Sequence, residues 1–342
     1  MESSGFDIIW GMAVYEQQHL RGVRLPPLEG KGREKFPDLG NKAIVGLFLV
    51  TIGLSLFFWI RAEAKEWYEG GKDFSEKIVF WKETAEEKSK IQNDLRLSET
   101  KERIKKLIFD LQGEYAVYFK SLEEGKGEWG IDEEREMEAA SLIKVPIILT
   151  LYKKTALGEI DLETKYVLAD KDKVPGAGGM LYKKAGTVYS YRKMAELMGK
   201  SSDNTAAKIL TRILGAEAIQ RAIEDLEMKK TSFGENKTTA KDVGGMFEKL
   251  YKNEVLSAEA SEEILSFLTK TQFEERIPAG LPEEIRVAHK IGTETEVISD
   301  GGIVYGKNPY ILVILSERVK AVEAEKMLPE ISKVVWEMVN AQ

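Results

Sequence analysis

The sequence contains no cysteine and only two histidines, His19 and His289. Without cysteine the protein can form no disulfide, thiolate nucleophile or zinc–thiolate site. Two histidines are too few for a metal centre built from several imidazoles, so neither a metal nor a cofactor is expected. A catalytic serine would also have little choice of histidine as its base. The composition therefore favours a lysine as the general base of any serine nucleophile.

The sequence also lacks a cluster of basic residues. Its 50 lysines and arginines are interspersed with 57 aspartates and glutamates, and the net charge is −7. A nucleic-acid-binding surface requires a clustered basic face, so no nucleic-acid partner is expected. The 342 residues, of which 43% are hydrophobic, suffice for one large domain with additional segments or for two domains.

One long stretch, residues 43–60, has no charged side chain. Eighteen helical residues span roughly 27 Å, close to the hydrocarbon thickness of a bilayer. A buried core helix is the alternative, but such helices rarely lack a polar face over this length. The stretch therefore predicts an N-terminal transmembrane helix that would anchor the protein in the cell membrane by a single pass.

The charges around this stretch predict its orientation. Six lysines and arginines precede it within residues 21–42, whereas Arg61 and Lys65 after it are diluted by three glutamates. The positive-inside rule then predicts that residues 1–42 form a cytoplasmic tail and that everything after residue 60 is extracytoplasmic. The alternative is a signal peptide cleaved near residues 62–64, but a 42-residue leader is too long for one.

The remaining pattern predicts a helical stalk and one folded domain. The stalk covers residues 61–99, which are rich in Glu and Lys, and the domain covers residues 100–342. Within the domain, apolar periodicity and turn signals predict a helix at 100–112, strands at 114–121 and 128–133, helices between about 155 and 282, strands at 284–291, 297–305 and 310–315, and a closing helix at 320–340. This order predicts an α/β fold in which an antiparallel sheet is flanked by helices and accompanied by an all-helical lobe.

A candidate nucleophile opens the first helix of that lobe. Ser141 and Lys144 are three residues apart at the start of an apolar run, so they lie on one face of a helix and can meet at its first turn. A partly desolvated lysine can lose its proton and activate the hydroxyl. The same S-x-x-K pattern occurs at Ser98 and Ser190, where the alternative is a helix-capping serine followed by a surface lysine. The pattern alone therefore does not identify the nucleophile.

Two further motifs single out Ser141. Ser141-Leu-Ile-Lys144 is followed in the chain by Ser202-Asp-Asn204 and then by Lys290-Ile-Gly292. The order S-x-x-K, S-D-N and K-T-G is typical of class A β-lactamases and penicillin-binding proteins. Over about residues 100–342 the sequence resembles this superfamily of serine acyl-enzymes. The resemblance implies a β-lactamase/transpeptidase-like fold and attack on an amide carbonyl.

The resemblance implies catalytic roles for three residues of the first two motifs. Ser141 is expected to be the nucleophile that forms an acyl-enzyme. Lys144 is expected to remove its proton, or to hold the network that does. Ser202 is expected to relay a proton to the leaving nitrogen.

The resemblance also implies which residues bind substrate. Asn204 would bind the substrate amide, and Lys290 would offer a positive charge to the substrate carboxylate. Gly292 and Thr293 continue the third motif, and the backbone N–H groups of Ser141 and Thr293 would form the oxyanion hole. Losing such a donor typically costs about 10²–10³ in rate.

Two features depart from the family pattern. Ile291 stands where a hydroxyl residue is usual, and Thr293, two residues on and so on the same face of the strand, could substitute in part. The loop that carries the deacylating glutamate in class A enzymes is short here. Its candidates are Glu235, a weak candidate for the deacylation base, and Asn236 beside it, because that role demands a positioned residue.

Three functions fit these motifs. The first is hydrolysis of small-molecule β-lactams, and the second is cleavage of the D-alanyl peptides of peptidoglycan stems. The third is a catalytically silent wall-binding or sensor module. All three share one fold, and a fold does not decide function.

Overall fold

The computed structural model describes residues 51–61 and 87–341. The chain divides into two compact units, Met1–Val79 and Phe80–Gln342. In the first unit residues 51–61 are helical. Across the described residues, no helix combines the length and the apolarity needed to cross a bilayer. Residues 43–50 of the predicted anchor, the predicted tail and stalk residues 62–86 lie outside the described residues, so these segments stay predictions.

Five strands of the second unit form one antiparallel sheet, in the order β2-β1-β9-β8-β7. Four short strands form two separate pairs, β3 with β6 and β4 with β5. The strands are β1 (Glu114–Ser121), β2 (Glu128–Ile131), β3 (Met137–Glu138), β4 (Lys165–Val167), β5 (Val188–Ser190), β6 (Lys237–Thr238), β7 (Val287–Glu294), β8 (Val297–Val304) and β9 (Tyr310–Glu317). The predicted antiparallel sheet is confirmed, although β7 begins three residues later than the sequence pattern indicated.

Helices surround this sheet and form the lobe. They are α1 (residues 87–108), α2 (Lys144–Ala156), α3 (Tyr191–Ser201), α4 (Asn204–Leu214), α5 (Ala216–Asp225), α6 (Ala240–Tyr251), α7 (Ala258–Phe267) and α8 (Ala321–Asn340). The predicted helix at 100–112 is the end of α1, which is already helical at residue 87. Every residue of α2 from Lys144 to Tyr152 is buried, so α2 is the central helix of the lobe.

The two faces of the sheet are buried against different helices. Because side chains alternate along a strand, β1 sends Ala116 and Tyr118 to the core shared with α6 and the lobe. Its Val117 and Phe119 face the second core, which contains residues of α1 and α8. The sheet is thus covered on both sides, and α2 belongs to the same core as the face that carries Ala116 and Tyr118.

The pair β3–β6 positions the short loop before α6. The N–H of Ala139 donates a hydrogen bond of 2.8 Å to the carbonyl of Asn236. Residues 233–236 are therefore held beside the turn that opens with Ala140. The sequence pattern did not predict these two-residue strands because they are too short to show an alternation.

Candidate active site

Ser141 and Lys144 meet as the sequence predicted. Residues Ala140–Ile143 form a 3₁₀ turn, and α2 begins at Lys144. The Lys144 Nζ atom lies 2.9 Å from Ser141 Oγ. Ala140, just before the serine, has a φ of 46°, which is uncommon for a residue with a β-carbon. The backbone therefore turns sharply at the point where the serine hydroxyl is presented.

Ser202 and Asn204 reach the same lysine from the start of α4. Ser202 has a left-handed φ of 52° at the end of α3. Its Oγ lies 3.0 Å and its carbonyl oxygen 2.6 Å from Lys144 Nζ, and Asn204 Oδ1 lies 2.6 Å away. The first two motifs therefore converge on one amine.

Asp203 between them fixes the local backbone. Its Oδ1 accepts from the N–H of Ala206 and caps α4, while its Oδ2 accepts from the N–H of Met180, both at 2.9 Å. Asp203 is fully buried. The middle residue of the second motif thus ties α4 to the loop that ends at Met180, and it sets the direction of its two neighbours.

Burial shifts the equilibrium of Lys144 toward the neutral amine. Burial lowers the pKa of Lys144 to about 8, although the charges of Asp203 and Glu294 oppose the shift. Four oxygens surround Nζ, and two of them are the hydroxyls of Ser141 and Ser202, which can donate as well as accept. A neutral amine can donate to the Ser202 carbonyl and to Asn204 and still direct its lone pair at Ser141. This arrangement lets Lys144 accept the proton of the nucleophile.

Lys290 on β7 brings the third motif to the same place. Its Nζ lies 3.0 Å from Ser202 Oγ and 3.2 Å from the carbonyl of Ile291, and its side chain is buried. Burial, and then the neighbouring charge of Lys144, lower the pKa of Lys290 well below its usual value. A substrate carboxylate arriving here would favour the charged form again. The Ser202 hydroxyl bridges the two amines and can pass a proton between them.

Gly292 and Thr293 continue β7 past the nucleophile. A β-carbon at Gly292 would lie 3.1 Å from the carbonyl of Ala139, so the strand lies close against the turn of Ser141. Thr293 Oγ1 accepts a 2.7 Å hydrogen bond from Arg276. This is where the backbone N–H groups of Ser141 and Thr293 are expected to form the oxyanion hole. Ile291 is buried and presents no hydroxyl to a substrate.

Sequence reasoning missed Arg276. Its Nη1 donates to the carbonyls of Gly292 (2.9 Å) and Ser299 (2.7 Å), and it is 3% exposed. It places a buried cation beside Thr293. No motif marks this arginine, because it lies in the irregular segment between α7 and β7, where no periodicity applies.

A groove of about 430 Å³ opens at Ser141 between α2 and α4. Phe233 and Asn236 from the short loop line it, and the buried Oδ1 of Asn236 accepts no hydrogen bond from the described residues. Glu235 is exposed and is not among the lining residues. The structure therefore does not bring Glu235 to the nucleophile. Glu294, at the end of β7, is the one carboxylate among the described residues that line the groove.

The other two S-x-x-K copies lie outside this site. Ser190 caps α3 and accepts from the N–H of Lys193, whose own side chain pairs with Glu196. Ser98 is exposed on α1. A larger cleft of about 640 Å³, lined largely by charged side chains, contains none of the motif residues. Only the Ser141 copy is joined to the other two motifs.

Comparison with known proteins adds independent findings. The sequence profile of the beta-lactamase enzyme family matches residues 99–339. No curated protein sequence matches the chain. The solved structure of PBP-A is 24% identical, with a TM-score of 0.67, and the match covers 70% of this chain and 96% of PBP-A.

Two beta-lactamase structures are similar to the same degree. The enzyme from Sphaerobacter thermophilus is 23% identical with a TM-score of 0.67, covering 72% of this chain and 98% of that one. The TLA-1 extended-spectrum beta-lactamase is 22% identical with a TM-score of 0.65, covering 71% and 98%. At this identity the likeness shows a shared fold.

Proposed function

The chain belongs to the beta-lactamase enzyme family, and we propose that it is a membrane-anchored, extracytoplasmic serine hydrolase that opens β-lactam amides through an acyl-enzyme on Ser141. The observation that carries the proposal is a chain of contacts through all three motifs, in which the Ser202 hydroxyl joins the two lysines and Lys144 contacts Ser141. Lys144 Nζ lies 2.9 Å from Ser141 Oγ, and both it and Lys290 Nζ lie 3.0 Å from Ser202 Oγ.

The reaction would proceed in two half-reactions. Lys144 takes the proton of Ser141 as its Oγ attacks the amide carbonyl, and the oxyanion is bound by backbone N–H groups. The Ser202 hydroxyl then passes a proton to the leaving nitrogen and recovers one from the amine pair. Water must finally attack the acyl ester to release the product.

A second candidate substrate, the D-alanyl peptide of a peptidoglycan stem, is favoured by the short loop. Phe233 and Asn236 line the groove and Glu235 does not, so the loop supplies no carboxylate to activate the deacylating water. A similar protein, PBP-A, has been described in one mutant form as an acyl-enzyme complex with penicillin G. Slow deacylation of penicillin combined with turnover of a D-alanyl peptide would identify this protein as a peptidase.

We expect a burst of acylation followed by a slow steady state when a fluorescent penicillin is added to the full-length protein in detergent. Such a burst is the kinetic mark of an accumulating acyl-enzyme. Glu235→Gln should change the steady rate less than about twofold, because an exposed carboxylate outside the groove cannot position water. A fast steady rate that collapses in Glu235→Gln would restore a class A mechanism. Failure of any serine to be acylated would favour the silent module.

The proposed membrane anchor is supported by the uncharged stretch at residues 43–60 and by the basic residues before it. We expect that a reporter enzyme which folds only outside the cytoplasm is active when it is fused after Gln342, and that a reporter which folds only in the cytoplasm is inactive there. The matched control is the same fusion lacking residues 43–60, which should lose this activity. Activity of a cytoplasm-specific reporter on the full chain would contradict the proposed orientation.

A further inference from the structure

His289 lies on β7 next to Lys290 but on the opposite face of the sheet, because successive side chains of a strand alternate. Its Nδ1 is 2.9 and 3.0 Å from the two carboxylate oxygens of Asp300, and its Nε2 is 3.3 Å from Glu274 Oε1. His289 and Asp300 have no exposed surface. A carboxylate at each ring nitrogen favours the form in which both nitrogens donate, which is the imidazolium.

Asp300 connects the imidazole to the segment that carries Arg276. Its Oδ2 accepts from the N–H of Ile277 at 3.1 Å, and its Oδ1 accepts from its neighbour Gly301 at 2.9 Å. Arg276 then bonds to the carbonyls of Gly292 and Ser299 and to the Thr293 hydroxyl. The contacts thus run without a break from Glu274 through His289 and Asp300 to the substrate-facing end of β7.

The close packing of β7 and β8 holds His289 and Asp300 together. Gly302 lies directly opposite His289 in the β7–β8 register. A β-carbon at Gly302 would lie 2.6 Å from His289 Cα and 2.2 Å from the carbonyl of Ala288. The absence of a side chain there lets β8 approach β7, so that Asp300 reaches His289 from the diagonal position on the same face.

We propose that His289 is a positioning residue for the acyl-transfer site, in which its imidazolium, held between Asp300 and Glu274, fixes residues 274–277 on the sheet and so sets Arg276 at Thr293. The function of this arrangement is to orient a cation and a hydroxyl toward the anionic group of the substrate. This inference rests on the proposed function for its catalytic consequence. The contacts themselves do not depend on that function.

The charged groups around His289 determine how it titrates. Burial alone would lower the pKa of His289, but Asp300 from β8 and Glu274 from the 271–277 segment outweigh it and raise the pKa to about 9. The hydroxyl of Thr271 lies 3.4 Å from Nε2. Arg276 faces Asp300 from the same segment, and the charges of Glu275 and of Glu325 on α8 also act on Arg276.

The direction of the effect follows from these charges. The folded-state pKa of His289 exceeds the unfolded value of 6.5. Its ion pairing therefore stabilises the fold fully below about pH 6.5, and this contribution is lost as the pH rises through about 9. Removing the Glu274 charge must lower the pKa, so that the same loss occurs at a lower pH.

The test compares Glu274→Gln with Glu275→Gln in the full-length protein in detergent. Glu275 is the matched control for the His289 titration, because it is an exposed carboxylate on the same segment whose charge acts on Arg276 and not on the imidazole. Acylation by a fluorescent penicillin is measured from pH 6 to 10 as a half-saturating concentration and a limiting rate. His289 and the Thr293 amide are followed over the same range by NMR, which is simplified by the presence of two histidines in the chain.

We expect the half-saturating concentration of the wild type to rise above about pH 9 and that of Glu274→Gln to rise at least about one pH unit lower, the size of shift that one neighbouring charge typically causes. Glu275→Gln should keep the pH midpoint of the wild type, because Glu275 does not act on His289. The limiting rate should not share the shift. Below about pH 9, His289→Gln should raise the half-saturating concentration about tenfold, the order expected for one weakened charged hydrogen bond. Above that pH the variant and the wild type should converge.

The NMR arm separates this inference from the proposed function. The Thr293 amide should titrate with the same midpoint as His289, and both midpoints should move together in Glu274→Gln. If the chemical shift of the Thr293 amide does not change as His289 titrates, the positioning role is wrong even if Ser141 is acylated. Conversely, coupled titrations in a protein that no penicillin acylates would uphold the network and reject the β-lactam chemistry. An altered limiting rate with an unchanged half-saturating concentration would also contradict the inference.

Discussion

Ser141→Ala should abolish covalent labelling by penicillin, with a loss of at least about 10⁴ in acylation rate, as is typical when a catalytic nucleophile is removed. The reason is geometric, since Ser141 Oγ is the one hydroxyl that both opens onto the groove and lies 2.9 Å from Lys144 Nζ among the described residues. The measurement is mass spectrometry of the intact protein and of its labelled peptide.

Two serines provide controls with the same local sequence. Ser98→Ala and Ser190→Ala remove the serine of an S-x-x-K pattern without touching the other two motifs. Ser190 accepts from the N–H of Lys193 as a helix cap, so its loss should cost about 1 kcal/mol of stability and no labelling. An adduct on either control serine would refute the assignment of the nucleophile.

Lys144→Gln should slow acylation by about 10²–10⁴, the usual contribution of a general base. Because burial lowers the pKa of Lys144 to about 8, the wild-type limiting rate should fall about tenfold for each pH unit below 8 and level off above it. The sign follows from the role: the base must be the neutral amine, and acid converts it to ammonium. Stopped-flow acylation at saturating penicillin measures this rate.

The matched controls are Lys101→Gln and Lys193→Gln, which change the lysines of the other two patterns. Both should leave the limiting rate and its pH dependence unchanged. A limiting rate that stays flat between pH 6 and 9 in the wild type would show that Lys144 does not take the proton. It would then act only by holding Ser202 and Asn204 in place.

Periodicity and motif order predicted most of this fold. The strand pattern anticipated β1 and β9 and the antiparallel sheet, because alternating apolar residues show directly in a sequence. The three motifs identified a set of residues that the structure brings together, since Lys144 reaches Ser202 across 58 positions of the chain. The order of the strands and the covering of both sheet faces could not be predicted, because they depend on long-range packing.

The residue that sequence reasoning missed has a role that comes from tertiary contacts alone. Arg276 lies in an irregular segment and belongs to no motif. Glu235 attracted attention because it is the carboxylate of the short loop, but the β3–β6 pair turns Phe233 and Asn236 toward the groove instead. The position of Glu235 in the loop sequence therefore did not predict the direction of its side chain. Asn236 has a left-handed φ of 53°, and this turn determines which side chains of the loop face the groove.

The position of β9 in the sheet has a consequence for how the protein folds. Strand β1 pairs with β9 from Glu114 opposite Glu317 to Ser121 opposite Tyr310, about 200 residues apart in the chain. During synthesis the hairpin of β1 and β2 is made first. The edge of β1 that pairs with β9 stays unpaired until β9, the last strand in the chain, has been synthesised. Such non-local pairing slows folding, and an open, apolar edge favours aggregation meanwhile. Because β7 arrives only after the lobe, Lys290 also joins the site late, so a truncated chain would carry Ser141 without the third motif.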